Sequence, residues 1–167
     1  MGVTSKSVLS LIACALVAGC ATLPGSVPIG ASTQEVEAKL GKPKNTVDAP
    51  GGETVWQYPT GPMGQRTYMV RFGSDRRVKS VSQALTLETF AQIRPGMSGD
   101  DIRLLLGPPG EVVTYRNLRE NVWSYRYQPG AGENRIFNVH FDASSGLVRS
   151  TSDQEDPLFV PPIRVVG

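Results

Sequence analysis

The pattern of apolar and polar positions in this chain is written twice. Gly30, Gly41-Lys42-Pro43, Trp56-Gln57-Tyr58 and Val70-Arg71-Phe72 return, 66 to 69 residues later, as Gly96, Gly107-Pro108-Pro109, Trp123-Ser124-Tyr125 and Val139-His140-Phe141. The slips in offset fall where loops are expected, and glycines, prolines and aromatics recurring at fixed spacing describe a duplicated folding unit. Each copy opens on a helix signal. Ser32 with Glu35 three residues on is a capping box, and Val36 with Leu40 is an apolar i, i+4 pair. Gly41 supplies a left-handed C-terminal position, and Pro43 bars continuation. Ser98, Asp101, Ile102, Leu105, Leu106, Gly107 and Pro109 repeat the arrangement, so a helix of about two turns is predicted in both copies.

The positions that follow alternate. Trp123, Tyr125 and Tyr127 fall at i, i+2 and i+4, on one face of a strand, with Ser124 and Arg126 on the other; Trp56 and Tyr58 do the same in the first copy. Glycine-containing loops at 60–64 and 129–132 read as hairpin connections to second strands, Tyr68 to Phe72 and Phe137 to Phe141. Short turns then lead to third strands through Val78 and Val148. Leu87, Phe90 and Ile93 add an apolar helical spacing ahead of the second copy, and nothing similar precedes the first. The expected fold is α+β, two tandem units of helix packed on a three-stranded antiparallel meander, ααβββ in order, with the first unit lacking its first helix.

The chain of 167 residues divides on this reading into a signal peptide (1–19), a tether (20–29), the first repeat (30–85), the second repeat (86–153) and a proline-rich tail (154–167). Units of this size bury only about 60% of their unfolded surface, so the copies are expected to pack on each other. Net charge is +2, with basic residues spread along the chain, which argues against a nucleic-acid face. At the N-terminus, Lys6 precedes an apolar run from Val8 to Ala18 that is too short for an ordinary membrane span. Leu16-Val17-Ala18-Gly19-Cys20 resembles a bacterial lipobox, which implies cleavage before Cys20 and lipid on its sulfur and amine. Cys14 lies in the discarded segment, so the mature chain is expected to have no free thiol and no disulfide. Ala21 after the cysteine implies the outer membrane, and several acyl chains make a stable anchor at about 0.8 kcal/mol per buried methylene.

Candidate chemistry is sparse. His140 is the single histidine, on the strand face opposite Val139 and Phe141, and the sequence suggests neither a nucleophile nor metal ligands to go with it. Asp100 and Asp101 stand in the first turn of a predicted helix, where the macrodipole favours acidic side chains. The glycine loops lack the lysine and helix of a phosphate cradle, so no cofactor is expected. Arg76, Arg77 and Lys79 form the one basic cluster. With Arg126, they are the candidate contacts for lipid headgroups or a protein partner.

The run from Ile93-Arg94-Pro95-Gly96-Met97-Ser98 through Leu106-Gly107-Pro108-Pro109, then Val122-Trp123-Ser124-Tyr125 and Val139-His140-Phe141-Asp142, resembles the BamE (SmpA/OmlA) family. The first repeat follows the pattern from Gly30 but carries Ala31 in place of the methionine and Gly73 in place of the acidic residue. The resemblance implies a lipid-anchored protein on the periplasmic face of the outer membrane, without enzymatic activity. Such a protein acts as an accessory subunit of the machinery that assembles outer-membrane β-barrels, with its components as partners and, in some members, anionic lipid. The tandem architecture is also similar to that of the β-lactamase inhibitory proteins, which implies an alternative, an inhibitor or regulator of a periplasmic enzyme.

Overall fold

A computed structural model describes residues 26–61 and 63–159. The signal peptide, Cys20 and the tail beyond Phe159 lie outside the described residues. The first unit is α1 (Thr33–Leu40), β1 (Asn45–Ala49), β2 (Glu53–Pro59), β3 (Thr67–Phe72) and β4 (Val78–Gln83). The second is α2 (Leu87–Phe90), α3 (Gly99–Leu106), β5 (Glu111–Tyr115), β6 (Glu120–Tyr127), β7 (Arg135–Asp142) and β8 (Val148–Glu155). Each unit has its own antiparallel sheet with strands in chain order, β1-β2-β3-β4 and β5-β6-β7-β8.

The α+β class and the tandem helix and strand units are as expected, but each sheet has four strands where three were predicted. The additional strands, β1 and β5, follow the helix-ending Gly-x-Pro segments and pair with β2 and β6. They are edge strands, and β5 is open to solvent on both faces, so it carries no alternation for a period-two reading to detect.

Capping drives both long helices. Ser32 Oγ accepts from the Glu35 backbone N–H at 3.3 Å while the Glu35 carboxylate accepts from the Ser32 N–H at 2.7 Å. Ser98 and Asp101 reproduce the pair at 3.2 and 2.8 Å. Both helices stop at glycine, but not in the left-handed helical region expected from the sequence. Gly41 lies at φ 78°, ψ −174° and Gly107 at φ 82°, ψ −165°, the mirror image of extended backbone, which essentially only glycine occupies. That geometry launches β1 and β5 directly from the helix ends.

A tyrosine then fastens each junction. Tyr58 donates to the Gly41 carbonyl at 3.1 Å and Tyr125 to the Gly107 carbonyl at 3.3 Å. The repeat persists in fine detail: Trp56 packs on Phe72 and Trp123 on Phe141, each with centroids 4.7 Å apart, and β-bulges occur at Arg71/Phe72 and His140/Phe141.

The cores show how the units stack. Val36 of α1 covers one face of the first sheet with Val70, Phe72 and Val78. Ile102 and Leu106 of α3, with Phe90 of α2, cover the second sheet at Tyr125, Tyr127, Phe137 and Val139. Phe90 stacks on Phe137 at 4.0 Å and meets Tyr127 edge-on at 4.8 Å. The opposite side of α3 faces the first unit. Leu104 packs on Val55, Met69 and Ala49, and buried Gln57 donates its amide to the Arg103 carbonyl at 2.7 Å. The order of layers is therefore α1, first sheet, α2 with α3, second sheet. Both faces of the first sheet are covered, and among the described residues no helix covers the second face of the second sheet, where Val122, Ile136 and Asn138 are buried between their neighbours.

Buried Tyr125 and Tyr127, with half-buried Tyr58, make this stack sensitive to alkali. Burial, with Glu37 nearby, pushes Tyr58 up to about 12. Burial and the hydrogen bond to Asp153 push Tyr127 up to about 12, and burial raises Tyr125 further. A folded-state pKa above the unfolded value, about 10 for tyrosine, favours the fold fully below pH 10 and is lost as pH rises through the folded value. Stability should therefore hold up to about pH 10 and fall between about 10 and 12. Thermal melts across that range, read beside the phenolate absorbance, check it; ionisation of these tyrosines with no loss of melting temperature would contradict it.

Candidate functional site

Because α3 is shared between the sheets, the open face of β5–β8 is the sheet surface available to a partner. It forms a shallow cleft of about 460 Å³. Period-two alternation decides its composition: while Trp123, Tyr125, Phe137 and Val139 point to the helices, their neighbours Val122, Ser124, Arg126, Ile136, Asn138 and His140 point outward. Register places them in rows, with Val122 opposite His140 and Ser124 opposite Asn138.

A hydrogen-bonded relay runs across this face. Glu120 Oε2 lies 3.2 Å from His140 Nδ1, and His140 Nε2 lies 2.9 Å from Ser152 Oγ. Asn138 Nδ2 reaches the same hydroxyl at 3.4 Å, and Ser124 Oγ donates to Asn138 Oδ1 at 2.8 Å. With the imidazole neutral, a proton on Nδ1 serves Glu120 and leaves Nε2 to accept from Ser152. His140 is half-buried and held at both nitrogens, on the strand face opposite Val139 and Phe141 that alternation assigns it.

The order Ser, His, Glu has the connectivity of a nucleophile, a base and an orienting acid. Acyl transfer needs in addition a preorganised pair of oxyanion donors and a site closed to water. Ser152 instead sits exposed in the middle of an edge strand. What the relay achieves here is to satisfy Asn138, 7% exposed, and to fix the side chains of the cleft floor. Among the described residues, no group of three or more His, Cys, Asp or Glu is placed to hold a metal ion.

One end of the cleft is closed by a buried ion pair. Arg126 Nε donates to Asp156 Oδ2 at 2.9 Å, with the two side chains 13% and 0% exposed. Asp156 also accepts from the Leu158 N–H at 3.1 Å, so it turns the chain after β8. The basic cluster of the sequence reading lies elsewhere, on the β3–β4 turn and the start of β4 of the first unit. Arg77 donates Nη1 to the Gly30 carbonyl at 2.9 Å, and Lys79 and Arg71 both clamp Glu53, at 2.8 and 3.1 Å. The side chain of Arg76, at φ 59°, has no hydrogen bond or ion pair among the described residues. Arg126, paired with Asp156, is thus on a different sheet from Arg76, Arg77 and Lys79, of which Lys79 alone is paired with a carboxylate.

Sequence reasoning did not find the relay or Asp156. Outward alternation of Ser124, Arg126, Asn138 and His140 was the available signal for the first. No local pattern links Arg126 to an aspartate 30 residues away.

Comparison with known proteins falls on this same unit. Residues 83–152 match the family model of the outer membrane protein assembly factor BamE domain, the segment from just before α2 to within β8. No curated protein matches the sequence. Among solved structures, the chain is similar to a putative β-lactamase inhibitor protein from Streptococcus mutans, at 12% identity over 75% of this chain and 83% of that one, TM-score 0.33. It is also similar to an extracellular protein containing an SCP domain from Bacillus anthracis, at 12% identity over 92% of this chain and half of that one, TM-score 0.32. A DUF4309 family protein from Bacillus subtilis follows at 16% identity, 75% and 79% coverage and TM-score 0.28. At these scores the structural likenesses carry nothing about function.

Proposed function

We propose that this chain, with a BamE domain in its second unit, is a lipid-anchored accessory protein of outer-membrane β-barrel assembly. It works by binding protein partners and without enzymatic turnover. The observation that supports this reading is the coincidence of the matched segment with the unit whose sheet keeps an open face. A scaffold needs a rigid, solvent-facing surface on a fixed tether; the open sheet is the surface, and Cys20 is the attachment point. No described helix is long and apolar enough to cross a membrane, so on this reading lipid supplies the attachment. Within this proposal the boundaries 30–85 and 86–153 serve as the two repeats. Arg76, the basic side chain of its turn without a partner, is the candidate for anionic lipid.

The test is photo-crosslinking in intact cells from a reactive residue placed at Gln154, which lines the open face, followed by mass spectrometry. Capture of barrel-assembly components is expected, and Cys20→Ala should move the protein out of the washed membrane fraction. Capture of a periplasmic hydrolase without any assembly component would favour an inhibitor and overturn the proposal.

A further inference from the structure

The chain leaves the second sheet onto its open face. Asp156 follows β8, and its buried carboxylate is held by Arg126, which points outward from β6 into the cleft. A turn over 157–159, closed by the Phe159 N–H on the Asp156 carbonyl at 3.0 Å, puts Pro157 in the cleft wall. The cleft itself is left acidic. Of the glutamate and arginine side chains that line it, Arg126 is taken by Asp156 and Glu120 lies against His140. Glu111 has no hydrogen bond or ion pair among the described residues. Beside it, Val113 is half-buried, Tyr115 is 44% exposed and Leu118 57%. These are apolar groups around an unpaired carboxylate, and their complement is an apolar stretch of chain that carries one cation.

We infer that residues 160–167 of this same chain occupy the cleft as a strap, with Arg164 on Glu111. Their sequence, Val-Pro-Pro-Ile-Arg-Val-Val-Gly, has Arg164 as its sole charged side chain. The reach is sufficient. Glu111 shares a cross-strand row with Ser124, Asn138 and Ser152. It therefore lies three strand spacings across the sheet and four residues along it from Asp156, a diagonal of about 20 Å. Arg164 stands five residues beyond the turn, about 17 Å when extended, and its long side chain supplies the rest. Period two then places Val160, Pro162 and Val166 on the side that Arg164 presents to Glu111, with Val166 in reach of Val113. Pro161 and Pro162 favour extended backbone, which lowers the ordering cost. Because the strap is tethered at the rim of the cleft, its effective concentration is on the order of millimolar, so a contact too weak to hold a separate peptide suffices. The consequence rests on the function proposed above: a partner that uses this face must first lift the strap.

The experiment uses the full chain with Cys14→Ser and Cys20→Ser, purified in mild detergent, so that introduced cysteines are the sole thiols. Val113→Cys with Val166→Cys is expected to be joined within one chain by a short bismaleimide at high dilution, read by intact mass. Thr114→Cys with Val166→Cys, on the other face of the same strand, should link far less. Glu111→Arg should lower the linkage from Val113 by roughly twofold to fivefold, the size that an exposed ion pair allows. Glu111→Arg combined with Arg164→Glu should restore it, a rescue that a poorly folded variant would not give. Equal linkage from Val113 and Thr114, no response to Glu111→Arg, failure of the charge swap, or linkage only between two copies would each overturn the inference. Failure to capture assembly components from Gln154 would count against the proposed function and leave these readouts unchanged, so the two can fail separately.

Discussion

Arg126→Met is expected to cost the fold about 3 kcal/mol, the range found when one partner of a buried ion pair is removed. The size follows from what is left behind. Asp156 is fully buried, and without the guanidinium one of its carboxylate oxygens has lost its donor while the other keeps only the Leu158 N–H. An isolated buried carboxylate is far more costly than an isolated buried amide, so Arg126→Met with Asp156→Asn should recover part of the loss. Lys79→Met provides the contrast. Its ammonium, 58% exposed, pairs with Glu53 in solvent, and an exposed pair contributes about 0–1 kcal/mol. Urea unfolding of the three variants at neutral pH measures the differences. If Arg126→Met cost no more than Lys79→Met, Asp156 would have to reach water once its partner is gone, and the end of β8 would be looser than its contacts imply.

The second large effect is a comparison between the copies of one glycine. Gly41→Ala and Gly107→Ala impose the same backbone strain, about 1–3 kcal/mol, because both residues occupy a region of φ and ψ that side chains disfavour. Their surroundings differ. A Cβ at Gly41 meets nothing within 4 Å, whereas one at Gly107 would lie 2.9 Å from Thr67 Cγ2 and 3.4 Å from Met69 Cε. Overpacking of this kind costs about 1–3 kcal/mol more, so Gly107→Ala should be the worse by that margin. In a Thr67→Ala background the closest clashing methyl is absent, and the excess should shrink. Chemical denaturation of Gly41→Ala beside the four chains of the Gly107→Ala and Thr67→Ala double-mutant cycle decides it; equal costs at the two glycines would mean that the seam between the units yields easily.

These two cases also mark what was legible in the sequence. Gly41 and Gly107 could be read as helix ends, because a helix signal of capping box, apolar pair and glycine is local and appears twice. The aromatic rows of β2 and β6 were legible for the same reason, since period two is visible within five residues. The clash waiting at Gly107 was not, because Thr67 reaches it from the other unit. Gln57 and Leu104 show the same blindness: a glutamine in a strand and a leucine among leucines reveal nothing of a helix that faces two sheets. In the candidate site, the outward residues could be assigned to a face by alternation. The relay through His140 depends on register between three strands, which no single segment encodes.

The position of α3 has a consequence for how the two units depend on each other. Here the second unit supplies the wall that the first sheet leans on, through Leu104 and the Arg103 carbonyl, while the first unit returns no helix to the second. The dependence runs one way: the first unit lacks a flank without its neighbour, whereas the second holds its own core and lends one.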